Sequence, residues 1–403
     1  MTSTRPLFAA RLGTSLAFGV VGFLFAVWLV HIPAVQSATG VSKGELGTAL
    51  LALGLGSIVG MQVGGSVIAR FGARWPLLVG HLIMVVTLLG PALAGGLWTL
   101  MVALLLFGIG NGLADVAMNA EAVEVERDKG KAIMSSMHAF FSVGTAVGAA
   151  YGWLVQTLAL PTLISFVIAS GLGLVAAGIA AALIPSRSAE PEPTTAEMMI
   201  AARVPDATVG ERPKRAVPIS QILLLALLGF VFMLAEGVAS DWSALHAVEE
   251  LGTSEATGAI AYGAFAVSMT AARFVIDLVV RRFGAVAVVR YGSIIAAIGL
   301  GVVVLSPGFW LALVGWMVFA LGIAGVVPQI FTAAGNLPVR KRAVLLARIV
   351  GAGYIGLLSG PAIIGWVAGV TGLNGALLVP LLLCVLGVVG ASSVRPSDRP
   401  TAA

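Results

Sequence analysis

The sequence predicts an all-α membrane protein with twelve transmembrane helices in two pseudo-symmetric six-helix halves. Three observations carry this expectation: a composition too apolar for water, a recurrence of membrane-length apolar runs, and an internal repeat at constant spacing. Of 403 residues, 59% are hydrophobic and only 10% are charged, and the mean hydropathy is +1.04. Soluble domains carry about a quarter charged residues, because charge covers their surface. A chain without that polar shell needs lipid around most of its outside.

The apolar runs come first. An α-helix rises about 1.5 Å per residue, so roughly 20 apolar residues cross the hydrocarbon core. Runs of this length lie at 10–33, 45–69, 76–95, 98–122, 133–156 and 162–184, then at 219–247, 256–280, 286–306, 309–334, 343–369 and 374–394. The first is too long for the apolar core of a signal peptide and is read as a retained helix. Between the two sets of six, residues 185–218 hold Pro185, Pro191, Pro193, Pro205, Pro213 and Pro218 among polar residues. Such a stretch buries too little apolar area to fold alone and reads as a flexible linker. The halves are therefore 1–184 and 219–403.

The charges orient the bundle. The net charge is +5 and the pI about 9.7, a balance that can indicate nucleic acid. Here the basic residues sit in short loops between apolar runs, which excludes nucleic acid and matches the positive-inside pattern. With the N-terminus inside, cytoplasmic segments hold Arg70, Arg74, Arg127, Lys129, Lys131, Arg281, Arg282, Arg290, Arg340, Lys341, Arg342 and Arg395, together with the linker's Arg203, Arg212, Lys214 and Arg215. The opposite loops hold Lys43 and almost nothing else. Both termini are expected in the cytoplasm.

The halves repeat. Arg70-Phe71-Gly72-Ala73 returns 212 positions later as Arg282-Phe283-Gly284-Ala285, and the same shift maps Gly40 to Gly252, Ser42 to Ser254, Gly110 to Gly322, Gly144 to Gly356 and Gly148 to Gly360. Two halves of equal topology, related by an axis along the membrane normal, imply a site near midplane between them. Gly144, Gly148 and Gly152 in the fifth run, and Gly353, Gly356 and Gly360 in the eleventh, are small residues that let helix backbones approach closely.

Polar residues inside spans are costly and mark function or pairing. In the fourth run Asn111, Asp115 and Asn119 recur every four residues, on one helix face. A carboxylate between two amides suits a proton or a polyol. The seventh run carries Glu236, Asp241 and Trp242; the first carries Trp28 and His31 before Pro33. Aromatic faces suit the apolar side of a sugar ring and carboxylates its hydroxyls. His138 opens the fifth run. Arg273 and Asp277, one turn apart in the eighth, are expected to pair with each other or with a neighbouring helix. The single cysteine, Cys384, forms no intrachain disulfide and sits in no metal-ligand spacing. No cofactor and no metal site is expected. Without a nucleotide-binding G-x-x-x-x-G-K-[ST] or a nucleophile elbow, an enzyme reading has no support.

The segment Gly65 to Arg74 resembles the loop 2–3 signature of the major facilitator superfamily, with Arg70, Gly72 and Arg74 matching as gating-loop residues. Ala69 stands where that signature has an aspartate. Gly110-Asn111-Gly112 through Asp115 and Asn119 to Ser136-Met137-His138 is similar to the fucose-permease-like branch, as is Ala235-Glu236-Gly237 to Asp241-Trp242. The likeness covers nearly the whole chain outside the linker and points to bacterial inner-membrane permeases. It implies a proton-coupling role for Asp115, which falls on the family's helix 4 glutamate, with Glu236 the next candidate. It implies a sugar contact for His138, which falls on a helix 5 glutamine. The family's helix 1 aspartate is unmatched, since Ile32 precedes Pro33.

The expectation is thus a monomeric secondary transporter in the lipid bilayer of a bacterial inner membrane. It moves a small polar solute, a sugar or polyol among the options, with protons. Solute contacts are expected from Trp28, His31, Asn111, Asn119, His138, Asp241 and Trp242. A proton-driven drug or metabolite exporter uses the same fold, but Ala149 after Gly148 lacks the Gly-Pro ending common in antiporters, which favours uptake. A non-transporting membrane sensor is the reading from another class; no appended soluble signalling domain supports it.

Overall fold

The structure, a computed structural model, describes residues 4–129, 134–185, 217–337 and 342–395. Most of the linker read at 185–218 lies outside these residues, as do Lys131, Arg340 and Lys341. Every regular element among the described residues is a helix: α1 (Thr4–Val30), α2 (Ile32–Thr39), α3 (Lys43–Phe71), α4 (Arg74–Thr87), α5 (Gly90–Leu93), α6 (Leu97–Lys129), α7 (Met134–Thr157) and α8 (Thr162–Leu183), then α9 (Ile219–Glu249), α10 (Glu255–Phe283), α11 (Ala285–Leu305), α12 (Phe309–Ile323), α13 (Val326–Gly335) and α14 (Arg342–Gly390), with a closing 3-10 turn Ala391–Val394.

Among the described residues, ten stretches are long and apolar enough to cross a membrane. One of them, Arg348–Val394, has 47 residues and would reach about 70 Å if straight, against a hydrocarbon core of about 30 Å. It turns at Gly372, whose φ of 75° and ψ of 169° are not helical, and so makes two crossings. Helix α7, 24 residues long, is not one of the ten but has the length for a crossing; with it, the membrane-length helices among the described residues number twelve, as the sequence predicts. The outside agrees with a lipid setting: Val370, Leu305, Trp98 and Trp310 are all at least 74% exposed, an arrangement soluble proteins avoid.

The repeat is written in the backbone. α3 and α10 each have 29 residues. Each begins after a serine, Ser42 or Ser254, whose hydroxyl accepts the backbone N–H three residues on, a cap worth about 1 kcal/mol. Each is preceded by a left-handed glycine, Gly40 at φ 67° or Gly252 at φ 62°, and ends at another, Gly72 at φ 72° or Gly284 at φ 80°. A side chain at positive φ is strained, which is why glycine returns at these turns.

Contacts sort the helices into two sets. α1 packs on α7 and α8, and α6 on α3 and α4; in the second set α9 packs on α14, and α11 on α12. Close approach depends on absent side chains: a Cβ on Gly144 would collide with the Gly19 carbonyl, and one on Gly356 with the Phe230 carbonyl. The sets meet along two seams, α3 with α14 and α7 with α10. Gly47 lies against Pro361, Ala362 and Gly365, Gly54 against Leu358, and Gly263 against Ala149. All of these lie toward the end of the bundle that carries Lys43. Toward the opposite end, which carries Arg70, α3 leaves Gln62, Val63, Gly65 and Ser66 exposed. The space between the sets is closed at the Lys43 end and open at the Arg70 end.

The glycine seam gives a direct test. Gly356→Val forces a side chain into the Phe230 backbone, and overpacking of this kind costs about 1–3 kcal/mol. Gly351, in the same helix, has open space where a Cβ would stand, with no neighbouring atom within 4 Å, so Gly351→Ala is expected to be neutral. Thermal unfolding in detergent should show a clear loss of stability for the first and none for the second. Equal melting of the two variants would contradict close backbone approach as the source of the seam's stability.

Candidate functional site

Mid-depth polar groups from both sets of helices face the space between them. On α6, Asn111, Asp115 and Asn119 are all half-buried while Gly112, Leu113, Ala114, Ala117 and Met118 are buried. The four-residue spacing therefore forms one face, as expected. Asn119 donates Nδ2–H to the Asp115 carbonyl at 2.8 Å and to its Oδ1 at 3.4 Å. Asn111 turns the other way and donates to Ser57 Oγ on α3 at 3.3 Å. It is shared with packing between α3 and α6.

On α9, Glu236 accepts from Arg273 Nη2 of α10 at 2.8 Å, an ion pair whose side chains are 25% and 45% exposed. Arg273 thus pairs with the neighbouring helix; the side chain of Asp277 lies outside the described residues. An unpaired charge at this depth costs about 2.5–3.5 kcal/mol on insertion scales, which is the physical reason the two meet. Tyr354, on α14, lies within the fields of both Asp115 and Glu236. His138, on α7, is exposed, packs edge-on against Phe18 with ring centroids 4.7 Å apart, and lies within the field of Arg273. Two contacts are direct, Asn119 with Asp115 and Arg273 with Glu236; Tyr354 and His138 lie within the fields of these charged groups, which brings polar side chains of both sets near one another.

The other expected site residues lie elsewhere. His31 is buried; its Nδ1 bonds the Val27 carbonyl at 2.7 Å, its Nε2 meets Ser165 Oγ at 2.9 Å, and Phe166 packs edge-on against it. It fastens α1 to α8 at the break before α2. Trp28 and Trp242 are 0% exposed, and neither indole N–H has a hydrogen-bond partner. They are sealed in the core, facing neither lipid nor the open space. Asp241 is 9% exposed. In the loop between α3 and α4, Arg70 lies 5.4 Å from the Phe71 ring and Arg74 5.8 Å from that of Trp75, while Gly72 makes the turn. Neither arginine has an ion-pair partner among the described residues, consistent with Ala69 in place of an acid.

Two features were not singled out from the sequence. Tyr354 is one; its only signal is a position inside the glycine stripe of the eleventh span. The second is a latch at the Lys43 end. Lys43 Nζ, on α3, reaches Glu249 at 2.8 Å and Glu250 at 3.6 Å, at the end of α9. Glu250 also accepts the Leu373 N–H at 2.8 Å, just past the Gly372 turn. Asn374 joins it to His246 Nε2 at 2.9 Å. Across the seam, Trp366 Nε1 donates to Thr48 Oγ1 at 3.1 Å. Lys43 as the near-solitary base of its loops, opposite an adjacent Glu-Glu pair, was the readable signal. Among the described residues no group of three or more His, Cys, Asp or Glu could hold a metal ion.

The same architecture recurs in known membrane proteins. The model of the Major Facilitator Superfamily matches residues 7–245. An MFS-type transporter of Yersinia pestis is 31% identical over 398 residues, covering 98% of each chain. The crystal structure of a D-xylose-proton symporter superimposes with a TM-score of 0.76 at 16% identity, covering 98% of both chains. A bacterial homologue of the lysosomal transporter Spinster gives 0.73 at 14% identity over the full length of both.

The latch is weak by construction. Partly exposed ion pairs such as this one contribute about 0.2–1 kcal/mol, so Lys43→Met should raise the open fraction at that end by roughly 1.4- to fivefold. Spin labels at Ala38 and Val370, on a Cys384→Ala background, read this as a longer-distance population in pulsed electron paramagnetic resonance. The charge swap Lys43→Glu with Glu249→Lys should restore the short distance. A distribution indifferent to Lys43→Met would remove the latch.

Proposed function

The chain belongs to the major facilitator superfamily of membrane transporters, and from that premise we propose that it moves a small polar solute, coupled to protons, by alternating access. The observation that carries this is the polar cluster between the two sets of helices. A half-buried carboxylate, Asp115 on α6, and a Glu236–Arg273 pair on α9 and α10 both act on Tyr354 of α14, in a space closed at one end. Residues 1–184 and 219–403 rock as two bodies about this cluster, joined by the 185–218 linker. The Lys43 end faces the outside and both termini the cytoplasm, because nearly all loop Lys and Arg lie at the Arg70 end. On this reading the state is inward-open and the membrane a bacterial inner membrane.

Within this reading Asp115 takes up and releases the coupled proton. Charge in hydrocarbon is costly, and the hydrogen-bonding partner of Asp115 among the described residues, Asn119, is neutral. Glu236 is held by Arg273 and is the second proton site, available when a solute or the opening of the cavity separates the pair. Asn119, His138 and Tyr354 offer donors and acceptors to hydroxyl groups of the solute, with a share from Asn111. Trp28 and Trp242, sealed in the core, brace the closed Lys43 end from within. His31 keeps α1 seated on α8. The structural neighbours include a sugar–proton symporter, which supports a polar, uncharged solute class.

The test has two steps. A thermal-shift screen of purified protein against sugars, polyols, organic acids and drugs identifies a solute, since specific binding stabilises by mass action. In proteoliposomes with an imposed pH gradient, wild type should then accumulate that solute. Asp115→Asn preserves shape and hydrogen bonding but cannot titrate; it should retain solute binding and exchange while losing accumulation. Wild-type accumulation by Asp115→Asn would move the proton role elsewhere.

A further inference from the structure

Asp241 is the ionisable group this mechanism leaves unused, and its surroundings are unusual. It is 9% exposed, and among the described residues no hydrogen bond or ion pair reaches its carboxylate. It lies two turns before the end of α9, just below the Lys43 latch and above the polar cluster. Tyr262 of α10, itself 4% exposed, lies within its field. The other titratable groups at this end have partners of their own: Lys43 with Glu249 and Glu250, His246 through Asn374, Glu45 with the capping Ser42, and His31 with the Val27 carbonyl and Ser165. Glu255 opens α10 a further turn or more toward the loop. No base from α1, α2, α11, α12, α13 or α14 pairs with Asp241 among the described residues.

A largely buried carboxylate with neither cation nor donor is costly; a neutral acid in the same place costs far less. We propose that Asp241 is a second proton-binding site, on the outer side of the cavity, occupied while the Lys43 end is closed and emptied when that end opens to water. The inference rests on the alternating-access reading but not on the role of Asp115. Its consequence is a direction. Protonated Asp241 is compatible with the dry, closed seam. Ionised Asp241 is compatible only with a wetted, open one. Rising pH therefore favours opening at the Lys43 end, and acid favours closure. A metal ion fits less well, because such an ion takes several oxygen ligands and among the described residues no group of three or more His, Cys, Asp or Glu could hold one.

The experiment needs no solute. Purified full-length protein in lipid nanodiscs, carrying Cys384→Ala and spin labels at Ala38 and Val370, is titrated from mildly acidic to alkaline pH. In the linked range the open-to-closed ratio should rise by up to roughly tenfold per pH unit, the limit for release of one proton. Asp241→Asn should abolish that dependence and stay closed, while His246→Gln keeps it. Tyr262→Phe, which leaves the carboxylate in place, should displace the midpoint without removing the response. Infrared spectra of the closed state should show a protonated-carboxyl band that Asp241→Asn lacks. A pH response that survives Asp241→Asn but vanishes in His246→Gln would assign it to the latch network and overturn the proposal. So would closure driven by sodium at constant pH, or absence of the band. Because neither measurement involves transport, a failure of the Asp115 reading shows itself separately in the accumulation assay.

Discussion

The expense of charge and unpaired polarity in hydrocarbon governs the whole molecule. It forces every crossing to be a helix, since a helix satisfies its own backbone. It also sorts the ionisable groups. Arg273 and Glu236 neutralise each other, Asp115 faces the open space between the helix sets, and the Lys43 cluster gathers at one end. Helix association in lipid gains little from apolar burial, so it relies on close backbone packing. This is why glycine recurs where α7 meets α1 and where α14 meets α9.

These constraints make the scaffold repetitive and the chemistry asymmetric. The capping serines and the turn glycines return 212 positions apart with matching dihedral angles. The cluster does not. At the same shift Asp115 meets Val327, Glu236 meets Leu24, Arg273 meets Met61 and His138 meets Val350. In the proposed mechanism two equivalent bodies supply a rocking motion with two end states, and unequal side chains supply the polarity that a solute and a proton would read.

That division explains what the sequence disclosed. Span positions and the repeat were legible because they rest on local properties: apolar length, and glycine at turns and close contacts. Asp115 and Glu236 were legible because an acid inside a span is conspicuous. The partner of Arg273 was left open, because a bond between α9 and α10 depends on helix rotation that the apolar pattern hardly constrains. The same missing rotation explains Trp28 and Trp242, which were expected at the solute and are buried with unpartnered indole N–H groups. His31 turned toward Ser165 for that reason too. The latch joins Lys43 to residues from the far half of the chain and became visible only when α3, α9 and α14 met.

The central claim is a single cavity open to one side at a time. Tyr354, at its middle, reports on this directly. Tyr354→Cys on the Cys384→Ala background can be probed with a membrane-impermeant maleimide in oriented vesicles, with and without Lys43→Met. With the latch intact, labelling is expected from the Arg70 side. With the latch removed, labelling should be gained from the Lys43 side, with a matching loss from the other. Labelling from both sides at once with the latch intact, or from neither side in either form, would contradict a cavity of alternating access.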